Sequence, residues 1–304
     1  MKVVLSGIFY PVAILRYFEA AFGRRADVEL CTVGPYTGSW IPWRGGMHLK
    51  SEYAKSPNLQ LPQNVLSAKV PIAMIESQLP WEPDLWVQVD AGFHLMGKPK
   101  HGKNFIVGTD PHCLDYSEAR QWADLFLCMQ TPYMKSGDEW LPYAYDPTCH
   151  FSDPTPVEKL CDAGFVGAPY DNRMALVKAI DAAGMTVLVT GYGPAYEEAR
   201  QYYQKMRVGL NWSSLQDTTA RVFEIMAMQM CLVTNRTPDL EKIGFVEGRD
   251  YLGFDDVDEA VRQVQYALSS DPPVRDRIAL GGYNAVRPHT WDARVERILV
   301  LAKG

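Results

Sequence analysis

The sequence predicts an α/β protein built from two parallel-sheet domains, and three observations carry that expectation. Apolar runs of strand length alternate with segments of helical periodicity along the 304 residues, as in parallel strands joined by crossover helices. A proline-rich stretch near the middle, "LPYAYDPTCHFSDPTPVEKL" (141–160), breaks the alternation and reads as an interdomain linker. The chain is also about twice the length of a typical single domain.

The elements follow in order. "KVVLSGI" (2–8) is a first strand. In "PVAILRYFEAAFGR" (11–24), Val12, Leu15, Phe18, Ala21 and Phe22 recur at helical spacing. "VELCTVG" (28–34) is the next strand. After an irregular segment from Pro35 to Pro83 come three buried strands, "DLWVQVD" (84–90), "NFIVGTD" (104–110) and "DLFLCMQ" (124–130). A second series begins with "FVGAPYDNR" (165–173), a strand end, a small-residue turn and a helix starting near Asp171. It runs through "MTVLVTG" (185–191), "PAYEEARQYYQKM" (194–206), "RVGLNW" (207–212), "TARVFEIMAMQMCLVTN" (219–235), "DYLGF" (250–254) and "DDVDEAVRQVQYALS" (255–269). "HTWDARVERILVLAK" (289–303) is a final amphipathic helix. The expected division is 1–153, 154–285 and a terminal helix within 286–304.

Composition narrows the function classes. With 47% hydrophobic and 22% charged residues this is ordinary globular material, without the run of about 18 apolar residues that a span needs. "MKVVLSGIFYP" reads as a strand rather than a signal peptide. The net charge of −6 is shared evenly between the halves, so neither half as a whole is a basic nucleic-acid module. Six scattered cysteines with no C-x-x-C pair point to a reducing cytoplasm. The six histidines show no H-x-x-x-H spacing, so no metal site is expected. Asp256 and Asp258 lead an amphipathic helix and read as cap and dipole residues, not as metal ligands.

In open parallel sheets, ligands bind beyond the carboxyl ends of the strands, and with two such domains the ligand is expected in the cleft between them. The strand-end candidates are Gly7, Tyr10, Asp90, Asp110, His112, Gly167, Arg173, Gly191 to Gly193 and Asn211. Arg173 lies in the first turn of a helix whose amino end suits a phosphate; the alternative is an N-cap beside an exposed arginine. Gly191, Tyr192 and Gly193 form either a plain tight turn or a turn that lets the backbone approach a flat base. As G-x-G-x-x-G the segment fails, because Tyr196 stands at the third glycine. Asp90, Asp110 and His112 are candidate general bases or simple turn-formers. The segment 219–235 poses the sharpest question. Its helix is apolar nearly all round, yet it carries Arg221 and Glu224 one turn apart. Either the two charges satisfy each other, or a ligand does.

The ordered series "FVGAPYDNR", "RVGLNWSSLQDTTARVFEIMAMQMCLVTN", "DLEKIGFVEGRDYLGFDDVDEAV" and "HTWDARVERIL" resembles the spore-maturation (CgeB-like) branch of the group 1 glycosyltransferases. "PDLWVQVDAGF", "DPHCLDYSEARQWADLFLCMQTPY" and "LPYAYDP" are similar to that branch's first domain. The resemblance implies the GT-B architecture, two Rossmann-like domains with the donor site in the second and a final helix crossing back to the first. It implies that Glu224 binds the donor ribose and Arg173 lies near the diphosphate. Gly191 to Gly193 would then lie near the base, with Arg221, Thr218 and Thr219 lining the sugar-phosphate pocket. Gln216 departs from the wider group, which has a glutamate there.

The reading that follows is a metal-independent transferase taking a nucleoside-diphosphate sugar, a UDP-sugar first among them, to an acceptor hydroxyl on a glycan or small molecule. Trp43, Arg44, Lys98, Lys100 and Lys103, in loops mixing aromatic and basic residues, leave open an acceptor that is hydroxymethylated DNA. A two-lobed nucleotide- or sugar-binding protein without turnover is the rival from another class, and Gln216 favours it. A nicotinamide oxidoreductase lacks its glycine fingerprint.

Overall fold

The structure is a computed structural model that describes residues 1–41, 47–50, 55–62, 69–155, 157–191, 194–213, 215–269 and 273–304. It divides into two compact units, Met1–Pro142 with Trp291–Gly304, and Tyr143–Thr290. Among the described residues no helix is long and apolar enough to cross a membrane.

In the first unit, β1 (Lys2–Gly7), α1 (Leu15–Gly23), β2 (Glu29–Pro35), β3 (Leu59–Leu61) and α2 (Ile72–Glu76) precede β4 (Leu85–Asp90) and β5 (Lys103–Gly108). α3 (Ser117–Trp122), β6 (Leu125–Cys128) and β7 (Glu139–Trp140) follow. The seven strands form a sheet in the order β3-β2-β1-β4-β5-β6-β7, every pair parallel. The runs "LWVQV" and "NFIVG" are buried on both faces, which explains their mostly apolar composition; their two buried polar side chains satisfy each other, Gln88 Nε2 donating to Asn104 Oδ1 at 2.7 Å. The chain first winds to one side of β1 and then returns to β4 on the other, so the strand order reverses between β1 and β4.

The second unit contains β8 (Cys161–Phe165), α4 (Asp171–Ala182), β9 (Val187–Val189), α5 (Glu197–Gln204), β10 (Met206–Asn211), α6 (Ala220–Ala227) and β11 (Cys231–Asn235). It continues with α7 (Pro238–Ile243), β12 (Leu252–Phe254), α8 (Val257–Ser269) and α9 (Pro273–Val286). Its parallel sheet runs β12-β11-β10-β8-β9, with the reversal between β8 and β10. Asp256 Oδ1 accepts the Glu259 N–H at 2.7 Å, an N-cap bond at the start of α8.

The final helix, α10 (Trp291–Lys303), belongs to the first unit. Trp291 is fully buried, stacked at 5.7 Å on Tyr17 and packed at 5.0 Å against Phe18. Arg24 grips Asp292 through two bonds of 2.8 and 2.9 Å, Arg25 pairs with Glu296, and Arg294 donates to the Pro142 carbonyl at 2.7 Å.

The central proline-rich stretch is not the free linker that its composition suggests. Tyr143, Ala144, Tyr145, Asp146 and His150 are buried in the second unit, where the Tyr145 N–H donates to the His289 carbonyl at 3.2 Å. Residues 143–153 therefore pack with the second unit rather than the first.

Candidate active site

The carboxyl ends of β8 and β10 flank the reversal of the second sheet, where ligands of such sheets bind. Two arginines span it. Arg221, in the first turn of α6, donates from Nε and Nη2 to the Val166 carbonyl just after β8 (3.1 and 2.9 Å). Its Nη1 reaches Asn211 Oδ1 at the end of β10, at 3.1 Å. Arg173, in the first turn of α4, donates to the Ala168 carbonyl (3.1 Å) and to the Trp212 carbonyl (3.0 Å). Both guanidiniums lie within 6 Å of the Phe165 ring, at 5.8 and 5.9 Å.

Neither cation has a carboxylate within salt-bridge distance among the described residues; their partners are carbonyls and one amide. Arg173 is only 6% exposed, not the surface arginine of the bland reading. Burial, and then the like charge of Arg221, push its pKa down to about 10. The helix ends add to this positive field. Neither Tyr170 before α4 nor Thr219 before α6 caps its helix through a side chain, so first-turn N–H groups remain without that partner. The Thr219 hydroxyl turns instead to Asn211 Oδ1 (3.2 Å), and Asn211 Nδ2 donates to the Thr234 hydroxyl at 2.9 Å. Thr218 and Thr237 share a 2.6 Å bond between hydroxyls.

The two charges of α6 do not satisfy each other, and Arg221 is partnered before any ligand arrives. Glu224 and Arg221 instead line the partly exposed edge of an otherwise buried helix. Glu224 is 20% exposed, and its Oε1 lies 3.6 Å from His150 Nε2. The buried Tyr203 hydroxyl accepts the Val166 N–H at 3.2 Å, and burial pushes its pKa up. His150 and Tyr203 escaped the sequence reading. Gly191 has a left-handed φ of 65° just past β9, whereas Tyr192 and Gly193 lie outside the described residues. Gln216 is exposed, with φ 57°.

Gly167 sets the position of Arg221. Its φ is +132°, and a Cβ there would stand 2.3 Å from Arg221 Nη2. Gly167→Ala is expected to strain the backbone by about 1–3 kcal/mol and to push the guanidinium off Val166. Chemical denaturation should show the stability loss; an unchanged midpoint would contradict this placement.

In the first unit, Gly7 and Asp90 close β1 and β4 at that sheet's reversal. Asp90 does not suit the role of base. It is buried, with Oδ1 accepting the Gly92 N–H at 2.6 Å and Oδ2 paired with His94 Nδ1 at 2.9 Å, so both oxygens are engaged. Asp110 and His112 are partly exposed. Asp110 Oδ2 accepts the Thr109 hydroxyl at 2.6 Å, and His112 Nδ1 lies 3.2 Å from Gln130 Oε1. Burial and the nearby Asp110 push the Tyr10 phenol up. Asp110, His112 and Cys113 bring a carboxylate, an imidazole and a thiol within 4.8 Å of one another, a grouping that a search for spaced histidines passes over.

The acceptor-binding expectation for the lysines meets a topological obstacle. Lys98, Lys100 and Lys103 lead into the amino end of β5, whereas Asp110 follows its carboxyl end. A strand of that length separates the two by roughly 20 Å. Lys98 is moreover paired with Asp124 at 3.1 Å. Trp43 and Arg44 lie outside the described residues.

Comparison with known proteins agrees with this architecture. Residues 173–300 match the family model described as "Glycosyl transferase-like". No curated protein sequence matches the chain. Among solved structures, a sucrose-phosphate synthase from Thermosynechococcus elongatus is similar with a TM-score of 0.67 at 11% identity, over 100% of this chain and 98% of that one. AviGT4, a glycosyltransferase involved in avilamycin A biosynthesis, is similar at 0.59 and 14%, over 100% and 97%. A DNA-modifying β-glucosyltransferase studied with its substrate uridine diphosphoglucose is similar at 0.58 and 11%, over 99% of both chains. The fold is GT-B, and on that frame the glycosyl transferase-like match covers most of the second unit and the final helix.

Proposed function

We propose that the chain transfers a sugar from a nucleoside-diphosphate sugar, a UDP-sugar first among the donors, to an acceptor hydroxyl, as a member of the spore-maturation branch. The observation that carries this reading is the pair of guanidiniums, Arg173 and Arg221, without a carboxylate at the reversal of the second sheet. A diphosphate supplies the anion they lack. Glu224, one turn beyond Arg221, accepts the ribose hydroxyls, and residues Gly191 to Gly193 are assigned to the base. Asn211, Thr218 and Thr219 brace the sugar-phosphate pocket.

In the reaction the acceptor oxygen bonds to the anomeric carbon as the bond from that carbon to the diphosphate oxygen breaks. The electron pair leaves with the diphosphate, where the two arginines and the amino ends of α4 and α6 stabilise it. These cations perform at the diphosphate the task a metal would otherwise perform. If configuration inverts, Asp110 or His112 takes the acceptor proton; if it is retained, the proton passes to the departing diphosphate oxygen and no such base is needed. With the neutral Gln216 in place of a glutamate, the transferring sugar meets no charge from that position. The lysines' place at the far end of their sheet favours a glycan or small-molecule acceptor over DNA. Six scattered cysteines without a C-x-x-C pair suit a cytoplasmic setting.

The test is multiple-turnover release of nucleoside diphosphate from a panel of donor sugars. Glu224→Ala removes charge-assisted bonds worth about 1.5–3 kcal/mol, so kcat/KM is expected to fall roughly 10²-fold. Binding of a donor with no turnover under any acceptor would favour a non-catalytic nucleotide-binding protein instead.

A further inference from the structure

We propose that His150 is a positioning residue of the donor site, holding the Glu224 carboxylate in the orientation that reads the ribose diol. This rests on the donor-site reading above and goes beyond it by assigning a role to the buried turn before β8.

The turn is built to fix one imidazole. Asp146 Oδ1 accepts both the Thr148 N–H (2.9 Å) and the Thr148 hydroxyl (2.7 Å). The Asp146 carbonyl accepts the Cys149 and His150 N–H groups at 3.1 and 2.8 Å. The Asp146 N–H points at His150 Nδ1, 3.2 Å away. A nitrogen that accepts cannot also carry the proton, so the neutral ring holds its proton on Nε2. That is the atom facing Glu224 Oε1 at 3.6 Å. The separation is about 0.4 Å beyond hydrogen-bond range, a gap that a small rotation of the carboxylate closes.

Two consequences follow from this tautomer. The ring turns an N–H donor at Nε2 toward Glu224 Oε1 while Nδ1 is held by the Asp146 N–H. It also occupies one direction around Oε1, leaving the remaining lone pairs for two neighbouring hydroxyls. His150 is 4% exposed, so it acts through Glu224 and not as a general base in solution.

The experiment measures dissociation constants of UDP, 2′,3′-dideoxy-UDP and pyrophosphate for the wild type, His150→Ala, His150→Gln and Glu224→Ala. His150→Ala is expected to weaken UDP about tenfold, the value of one charge-assisted bond. It should leave dideoxy-UDP and pyrophosphate unchanged, and those two arms also report that the variant folds. His150→Gln, whose amide keeps an N–H near the Nε2 position, should recover most of the loss. Equal weakening of all three ligands would overturn the role, since it would signal general damage to the fold. Loss of UDP affinity in Glu224→Ala with none in His150→Ala overturns the His150 role alone. No loss of UDP affinity in Glu224→Ala, while wild type binds UDP, overturns the ribose grip on which it rests.

Discussion

Replacing Arg173 and Arg221 together by methionine should leave a folded protein that no longer binds a nucleoside diphosphate. Each guanidinium offers charge-assisted bonds worth about 1.5–3 kcal/mol, so the pair is expected to cost roughly 10²- to 10⁴-fold in affinity. The stability of the ligand-free protein should change little, because two effects oppose each other. The substitutions release like charges from a buried setting that holds the Arg173 pKa down to about 10. They also strand the carbonyls of Val166, Ala168 and Trp212, at about 1–3 kcal/mol for each that finds no water. The pH dependence has a definite sign. A lowered pKa for a cationic group means that the unfolded chain binds that proton more tightly. Arg173 thus contributes nothing to the slope of stability below pH 10, and stability gains from it only as pH rises beyond that value. A bound diphosphate favours the charged form, so affinity should fade above pH 10. Calorimetric titration against pH measures both; unchanged diphosphate affinity in the double variant would refute the assignment.

Trp291→Ala is expected to produce the largest loss of stability. The indole is fully buried against Tyr17 and Phe18 and anchors α10 on the first unit. Truncation of such a side chain costs about 3–5 kcal/mol, whereas the exposed pairs Arg24–Asp292 and Arg25–Glu296 contribute about 0–1 kcal/mol each. At this size the melting temperature should drop by about 10 °C, as read by differential scanning calorimetry. A change below about 3 °C would mean that α10 is held by its salt bridges instead.

The strands and the final helix were legible because their burial leaves a continuous or periodic apolar trace. "LWVQVD" and "CLVTN" are buried along their whole length, and α10 buries Trp291, Val295, Ile298 and Leu299 on one face. α9 left no such trace. Its Gly281 lowers helix propensity, yet packing demands it, since a Cβ there would lie 2.1 Å from the Arg249 carbonyl. Short elements such as β3, β7 and α2 fall below the length at which a period can be read. At the site, Arg221 and Glu224 stood out as charges on an apolar helix, and Arg173 as a cation in the first turn of another. His150 did not, because the turn that presents it is made of side-chain bonds to Asp146, and those carry no periodicity. The lysines illustrate the opposite case. Basic residues close in sequence say nothing about which end of the sheet they reach.

A crystal structure of the protein with UDP tests the central claim most directly. The account predicts diphosphate oxygens at about 2.7–3.2 Å from the guanidiniums of Arg173 and Arg221, with the ribose diol on the Glu224 carboxylate. UDP bound away from the β8–β10 reversal, or bound there with its diol turned from Glu224, would contradict it.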